Sequence, residues 1–256
     1  MEKLLTGIGR RIINLFVEIG QISQLLGNIV RYFPRIIRDR RLILGQMEHI
    51  GADSLPLVLI VGLFTGMVSA WQAAYQFKGF LPLSLIGGSV SRAIFIELAP
   101  VLTALVIAGR VGASIAAELG TMKVTEQIDA LETLAISPVR YLATPRFIAA
   151  SAMMPILVIF ANFIALIGAF IVSNFFLGVS STTFFNSVQQ FFVVKDITGG
   201  LIKSVVFGGV TSLLGCHIGF RTEGGAEGVG LSTIRSFVLS SAMILILDYT
   251  LWTLIY

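Results

Sequence analysis

Residues 55–77 form an uncharged, apolar run that is long enough to cross a membrane. A membrane-spanning helix needs about 20 such residues. Hydrophobic residues make up 55% of the chain and charged residues only 12%, whereas soluble domains carry about 25% charge. This composition excludes a soluble fold, because the chain has too few polar side chains to cover its own surface. We predict an all-α integral membrane protein.

Four further runs are apolar enough to span a membrane, which gives five in all. The predicted spans are 55–77, 97–119, 147–176, 200–220 and 235–256. A sixth span within 170–194 is the alternative, because no charged residue occurs between Phe147 and Val194. Residues 178–190 are rich in Ser, Thr, Asn and Gln, which favours a polar, partly helical excursion instead.

The distribution of basic residues predicts the orientation, because Lys and Arg accumulate in cytoplasmic loops. Residues 1–54 carry Lys3, Arg10, Arg11, Arg31, Arg35, Arg38, Arg40 and Arg41. The 118–146 loop carries Lys123, Arg140 and Arg146. We therefore expect the N-terminus and this loop to be cytoplasmic. Five-span and six-span arrangements score equally by this rule, so it does not choose between them.

The segment 1–50 is predicted to begin with an interfacial amphipathic helix on the cytoplasmic leaflet. Apolar residues recur at helical spacing from Leu4 to Ile22, with polar residues between them. The segment lacks the apolar core and the cleavage site of a signal peptide. The Arg35–Arg41 cluster would then meet anionic head groups. A solvated basic arm is the alternative.

Two spans carry small residues at every fourth position, a pattern that lets membrane helices approach closely. The first ladder is Gly62, Gly66, Ala70 and Ala74, and the second is Ala104, Ala108, Gly112, Ala116 and Gly120. The partner of each ladder is either another span of this chain or a second copy of it.

Three charged residues are predicted to lie in the outer half of the membrane, namely Glu97, Lys203 and Asp248. Charges inside a membrane are costly, and they mark either a functional site or an ion pair. The three residues form either a polar substrate site or an interhelical salt bridge that only holds the bundle together. Arg110 lies nearer the inner face, where we expect it to have a structural role.

The loop after the second span is predicted to contain a short helix that Thr125 caps and that Ser137-Pro138 ends. Its apolar face would consist of Val124, Ile128 and Leu131, and its acidic edge of Glu126, Asp129 and Glu132. Such a helix suits docking to a partner protein. A helix that lies against its own bundle is the alternative.

Several motifs carry a family resemblance over residues 40–256. The middle block runs from Glu97-Leu98-Ala99-Pro100 through Ala108-Gly109-Arg110-Val111-Gly112 and Glu118-Leu119-Gly120-Thr121-Met122 to Gln127-Ile128-Asp129-Ala130-Leu131, Pro138 and Pro145-Arg146. Gly66-Met67-Val68 with Gln72, Ile202-Lys203-Ser204 and Asp248 add to it. In these segments the chain resembles the MlaE (YrbE) family of ABC-transporter permeases, which work with MCE proteins in moving lipids between membranes.

The resemblance implies one permease domain over 1–256 that forms a homodimer and spans a bacterial inner membrane or a plastid envelope several times. Without a transit-like leader, we expect the bacterial inner membrane. Residues 124–134 would be the cytoplasmic coupling helix that fits a groove in each of two ATP-binding subunits. The coupling residues would be Thr125, Glu126, Ile128, Asp129, Leu131 and Glu132. ATP and Mg²⁺ would bind to those subunits, and this chain would hold no cofactor or metal.

The resemblance also implies a phospholipid site between the two copies, open towards an MCE-domain protein on the outer side. The lipid-binding residues would be Glu97, Lys203, Asp248, Gln72 and Arg92. Many family members have Arg directly before the Glu, where this chain has Ile96. Arg92, about one turn earlier, would substitute for it.

No catalytic motif or nucleic-acid partner is predicted. Gly199–Ser204 lacks the glycine that precedes the lysine of a P-loop, and neither His49 nor His217 has a second His nearby in sequence. No metal site is predicted. Residues 224–230 are glycine-rich and are predicted to form a flexible turn. Transport of phospholipid is the leading hypothesis. An ABC permease for a polar solute and a membrane enzyme of lipid metabolism are the alternatives.

Overall fold

The computed structural model describes residues 2–35, 39–79 and 81–255, which are helical apart from short turns. Five helical regions in these ranges are long and apolar enough to cross a membrane. They are Arg40–Phe77, Leu83–Val124, Val139–Phe175, Val194–Gly219 and Gly225–Ile255. The predicted all-α membrane fold with five spans is therefore confirmed. Part of the predicted Arg35–Arg41 cluster, including Arg38, lies outside the described residues.

The first helix, α1 (Glu2–Arg31), is amphipathic and lies against one end of the bundle. Its Ile29 is buried, and Ile22 packs against the core beside it. A second set of apolar side chains on α1 is exposed, namely Ile13, Phe16, Val17, Ile19, Leu26 and Val30. Exposed apolar residues on a helix at the end of a membrane bundle are typical of interfacial helices. The membrane-surface location itself stays a prediction.

The first span consists of α2 (Arg40–Ile50) and α3 (Leu55–Phe77), joined by one 3₁₀ turn. α3 packs along α8 (Thr144–Phe175). All four residues of its small-residue ladder are buried. A Cβ atom on Gly66 would overlap the carbonyl oxygen of Ala165, so the two backbones touch at this point. The partner of this ladder is thus another span of the same chain.

The second span contains α4 (Ile86–Ala93), α5 (Ala99–Ile107) and α6 (Ala113–Val124), joined by π-turns at Ile94–Leu98 and Ala108–Gly112. The helical region begins at Leu83, before residue 97, the predicted start of the span. In the added turns Arg92 forms an ion pair with Asp196. The second ladder also packs internally, since Ser236 Oγ donates a hydrogen bond to the Gly112 carbonyl at 2.9 Å.

The third span begins with a π-turn at Val139–Ala143 and continues as α8 to Phe175. The helical region therefore begins before residue 147, the predicted start of the span. The helix that follows, α9 (Ser181–Phe191), is too short to cross a membrane. It folds back onto α4, where the Gly88 amide donates to Ser187 Oγ at 3.0 Å. The polar excursion is confirmed, and the six-span alternative is wrong.

The last two spans are α10 (Val194–Gly219) and α11 (Gly225–Ile255). In its most apolar part α10 is 72% buried within the chain, whereas α11 is 11% buried. α10 is therefore the central helix, and α11 presents an open face. Both helices begin before the predicted residues 200 and 235. The prediction that the glycine-rich segment 224–230 forms a flexible turn is wrong from Gly225 onward, where the chain is helical.

Candidate functional site

Glu97 lies in the π-turn Ile94–Leu98. Pro100 has no N–H group, so it cannot donate the ordinary helical hydrogen bond to the Ile96 carbonyl. At this turn the Ala99 amide donates instead to the Ile94 carbonyl, the wider spacing of a π-helix. Single π-turns inside α-helices occur frequently at functional sites. The turn interrupts the span at the residue whose carboxylate lies within the bundle.

The central helix α10 brings Lys203 to this carboxylate. A Cβ atom on Gly200 would overlap the Phe95 carbonyl oxygen, so α10 approaches the π-turn closely there. Lys203 Nζ donates hydrogen bonds to Glu97 Oε1 and to Asp248 Oδ1, each at 2.8 Å. Three charged residues from three spans, each predicted from the sequence, therefore form one cluster. We call Glu97, Lys203 and Asp248 the triad.

The side chains of the triad differ in how far they are exposed. The side chain of Lys203 is 0% exposed, whereas that of Glu97 is 35% and that of Asp248 is 20% exposed. The Trp252 ring also covers the ammonium, with its centroid 5.1 Å from Nζ. The lysine thus forms a buried ion pair, as the salt-bridge hypothesis predicts. The two carboxylates keep an open side, which the substrate-site hypothesis requires.

The structure does not bring the other two predicted lipid-binding residues to the triad through any described contact. Arg92 Nε donates to Asp196 Oδ2 at 2.8 Å. Asp196 is buried in the first turn of α10, so this second ion pair fastens α4 to the central helix. Gln72 lies on an exposed face of α3 and has no hydrogen bond with the described residues. Sequence reasoning missed Asp196, because it placed the residue before the span rather than within it.

Each of the three π-turns contains one charged side chain that contacts another segment. Besides Glu97, these are Arg110 and Arg140. Arg110 donates to Ser54 Oγ and, at 3.4 Å, to the His49 carbonyl, which ties the second span to the start of the first. Arg140 forms two hydrogen bonds with the Asp39 carboxylate, at 2.9 and 3.0 Å. These π-turns were not predicted from the sequence.

The predicted coupling helix is α7 (Gln127–Thr133). The prediction that Thr125 caps it is wrong. Thr125 ends the preceding helix, and its hydroxyl donates to the Thr121 carbonyl at 2.8 Å. The residue before α7 is Glu126, whose backbone is left-handed with φ of 60°. The chain therefore turns sharply between α6 and α7, and no side chain among the described residues caps the start of α7.

The orientation of α7 divides its predicted coupling residues into two groups. Ile128 is buried and Leu131 packs against the core, so these two residues lie on the chain's own bundle, as the alternative hypothesis proposed. Val124, the third residue of the predicted apolar face, is 36% exposed. Glu126, Asp129 and Glu132 are exposed along the opposite edge. Leu134, just beyond the helix, is 70% exposed. A partner subunit would meet this acidic edge and Leu134 rather than Ile128 and Leu131.

Comparison with known proteins identifies the family. Residues 43–254 match the family model described as Permease MlaE. The chain belongs to this permease family. The match begins in α2 and ends in the last turn of α11, so it includes all five spans, α7 and the triad. The resemblance that the sequence motifs indicated is confirmed.

Individual relatives agree with this assignment. This MlaE-family permease is 44% identical over 213 residues to a probable ABC transporter permease protein of Synechocystis, an alignment that covers 83% of this chain and 81% of the relative. It is 32% identical over 253 residues to the intermembrane phospholipid transport system permease protein MlaE of Haemophilus influenzae, covering 98% and 97%. It is 38% identical over 208 residues to the chloroplastic protein TRIGALACTOSYLDIACYLGLYCEROL 1 of Arabidopsis thaliana, covering 81% and 59%.

Proposed function

We propose that this permease is the membrane subunit of an ABC transporter that moves phospholipids between membranes. ATP hydrolysis in a separate subunit drives the movement. The observation that carries the proposal is the triad, in which two partly exposed carboxylates are held by one buried lysine inside an apolar bundle. The family match and the name of the Haemophilus relative support phospholipid as the substrate.

The surroundings of the triad favour a lipid over a polar solute. Leu245 and Trp252 lie about one turn before and one turn after Asp248 on α11, on the same side of the helix. Their side chains are 55% and 37% exposed. A pathway for a polar solute needs polar side chains along whole helical faces, whereas these positions offer apolar contact to acyl chains. A membrane enzyme of lipid metabolism is the other alternative, and the described residues contain no group of three or more His, Cys, Asp or Glu side chains that could hold a metal ion.

The triad residues would have different tasks in binding the lipid. Lys203 is enclosed by its two carboxylates and the Trp252 ring, so a lipid phosphate does not reach it in this arrangement. The accessible oxygen atoms of Glu97 and Asp248 accept hydrogen bonds. They would bind the ammonium or hydroxyl donors of a head group. Lys203 then acts as the counter-charge that positions both carboxylates.

A second copy of the chain completes the proposed site. The second half of α11 exposes the apolar side chains of Leu245, Ile246, Tyr249, Trp252 and Leu254. These residues lie on both sides of Asp248 along the helix, so a dimer formed along this half of α11 would enclose the accessible side of the triad. Neither Gln72 nor Arg92 contacts the triad within one chain. These two residues would therefore contact the lipid only in the dimer.

The remaining partners would occupy the two ends of the bundle. Two ATP-binding subunits would contact the acidic edge of α7 and Leu134 on the cytoplasmic side of the inner membrane, where the N-terminus also lies. Movement of the chain that follows α7 would reach the start of α2 through the contact between Arg140, in the π-turn Val139–Ala143, and Asp39, the residue before α2. An MCE-domain protein would bind at the opposite end, near α9. Cofactors would be confined to ATP and Mg²⁺ in the ATP-binding subunits.

The test replaces all three triad charges at once by similar-sized neutral side chains, in the variant Glu97→Gln, Lys203→Met, Asp248→Asn. Removing a buried ion pair completely is often neutral for stability, whereas removing one partner is not. We expect ATP-dependent transfer of fluorescent phospholipid between liposomes to fall at least ten-fold with the assembled transporter. The control is Glu48→Gln, which changes an exposed carboxylate outside the site.

Transfer at the wild-type rate in a well-folded triple variant would contradict the proposal. It would show that the triad only holds the bundle together.

A further inference from the structure

A cavity of about 860 Å³ lies between α1, the end of α10 and the first half of α11. This volume is in the range of small-molecule binding sites, roughly 300–1,000 Å³. α1 contributes Glu18 and Gln21, and α11 contributes Arg235 and Val238. Arg221, just after α10, completes the polar part of the wall. The proposed function uses none of these residues.

The cavity contains two cations and two carboxylates that do not neutralise one another. Arg221, Arg235, Glu18 and Glu223 all line it. Among the side chains that the structure describes, no ion pair joins any two of these four residues. Arg221 donates a hydrogen bond to Gln21 of α1, and Arg235 has no partner within the described residues. Positively and negatively charged side chains are thus both available to a ligand.

An apolar wall leads from these charges along α11. Ile234, Val238, Leu239 and Ala242 line the cavity on successive turns of the helix, and Val17 of α1 faces the same space. A ligand that fits has a charged end between the arginines and the carboxylates and an apolar tail along α11. This division matches a phospholipid whose head group contains both a phosphate and an ammonium group.

The cavity and the triad lie at different depths. Arg235 and Asp248 are on the same helix, roughly 20 Å apart at 1.5 Å per residue. On α10, His217 of the cavity and Lys203 of the triad have a similar separation. The hydrocarbon core of a bilayer is about 30 Å thick. The two sites therefore belong to opposite leaflets, with the cavity in the leaflet beside α1.

We infer that this cavity is a second lipid site, which binds a zwitterionic phospholipid from the leaflet beside α1. Arginine guanidinium groups form strong, charge-assisted hydrogen bonds with phosphate oxygens, and Arg235 and Arg221 supply them here. Glu18 and Glu223 accept the ammonium group. The inference goes beyond the proposed function, because it concerns residues and a leaflet that the triad does not involve.

A photo-crosslinker placed at Val238 tests the inference. Benzoylphenylalanine at this exposed position would be irradiated in the purified full-length chain, in detergent with equal amounts of dioleoyl phosphatidylethanolamine and dioleoyl phosphatidylglycerol. Intact mass spectrometry then measures the adducts. We expect at least five-fold more ethanolamine lipid than glycerol lipid. Arg235→Gln should reduce that adduct at least five-fold, whereas Arg31→Gln, a matched change on α1 outside the cavity, should not.

A second variant gives a gain of signal that a misfolded protein cannot produce. Glu18→Gln with Glu223→Gln removes the acceptors for ammonium, so the preference should shift at least three-fold towards phosphatidylglycerol. The neutral triad variant should not change the amount of the ethanolamine-lipid adduct. That result would show that lipid binding in the cavity does not depend on the triad.

Three outcomes would overturn the inference. Equal adducts of both lipids would show unspecific contact with the bilayer. Equal adducts in Arg235→Gln and Arg31→Gln would exclude Arg235 from the site. A crosslink between two chains at Val238 would show that the cavity belongs to an interface between copies.

Discussion

Lys203 Nζ lies 5.1 Å from the centroid of the Trp252 ring while it also donates to Glu97 and Asp248. A cation above an aromatic face is stabilised, by about 2 kcal/mol or more when it is removed from water. The ammonium is thus held by two carboxylates and an aromatic ring at a depth where water is scarce. The two carboxylates and the ring replace contacts with water that the ammonium loses on burial.

The single substitution Lys203→Met should be more harmful than removing the whole triad. It leaves two carboxylates close together without a cation, which we expect to destabilise the protein by about 3–5 kcal/mol. The neutral triple variant should recover most of that loss. Thermal unfolding in detergent, followed by intrinsic fluorescence, measures both. Equal unfolding temperatures for the single and triple variants would show that the charges are not coupled.

Arg92 and Asp196 should show strong coupling in a double-mutant cycle. The Asp196 carboxylate is buried and accepts a 2.8 Å hydrogen bond from Arg92. Loss of the arginine leaves that buried charge without this partner, whereas replacing both residues removes the charge as well. We expect a coupling free energy of about 0.5–3 kcal/mol from the unfolding of Arg92→Ala, Asp196→Ala and the double variant. Strictly additive effects would contradict the ion pair.

Ala135→Gly should stabilise the protein. Ala135 follows the last turn of α7 in a left-handed conformation, with φ of 59°. The Ile136 amide donates to the Leu131 carbonyl and the Ala135 amide to the Glu132 carbonyl, the pattern of a Schellman cap. Glycine fits this position without the steric cost of a Cβ, a gain of about 1 kcal/mol. The control is Ala130→Gly within α7, which should lower the unfolding temperature instead.

Gly66→Ala and Gly27→Ala should have opposite effects on stability. A Cβ at Gly66 meets the backbone of α8, whereas a Cβ at Gly27 has no neighbour within 4 Å among the described residues. We expect Gly66→Ala to destabilise the protein by about 1–3 kcal/mol through overpacking. Gly27→Ala should add up to about 1 kcal/mol, because alanine favours a helix. Similar unfolding temperatures for the two variants would contradict the close contact between α3 and α8.

Hydropathy predicted the number of spans, because a membrane imposes a length on every apolar helix. It predicted their ends less well. The added turns before residues 97, 200 and 235 contain Gly, Ser and paired charges, which lower the hydropathy. Contacts between distant segments offset the energetic cost of placing these residues in the helices. Arg92 illustrates the reason: its partner, Asp196, follows it by more than a hundred residues, and a single sequence gives no sign of the pairing.

The triad was predictable because charged residues are rare in membrane helices and three of them fell at similar depth. The inward orientation of Ile128 was not predictable. An apolar face on a short loop helix fits a partner's groove or the chain's own bundle equally well, and only the fold decides which surface it covers. The π-turns depend on local hydrogen bonding at Pro100 and elsewhere, which hydropathy does not describe.

The most direct test of the transport account is native mass spectrometry of the permease purified with its ATP-binding subunit. The account predicts a complex of two permeases and two ATP-binding subunits that retains phospholipid. In the neutral triad variant the complex should still assemble, but the retained phospholipid should fall several-fold. An assembled wild-type complex without phospholipid, or one whose lipid content does not change in the variant, would contradict the central claim that the triad is a lipid site.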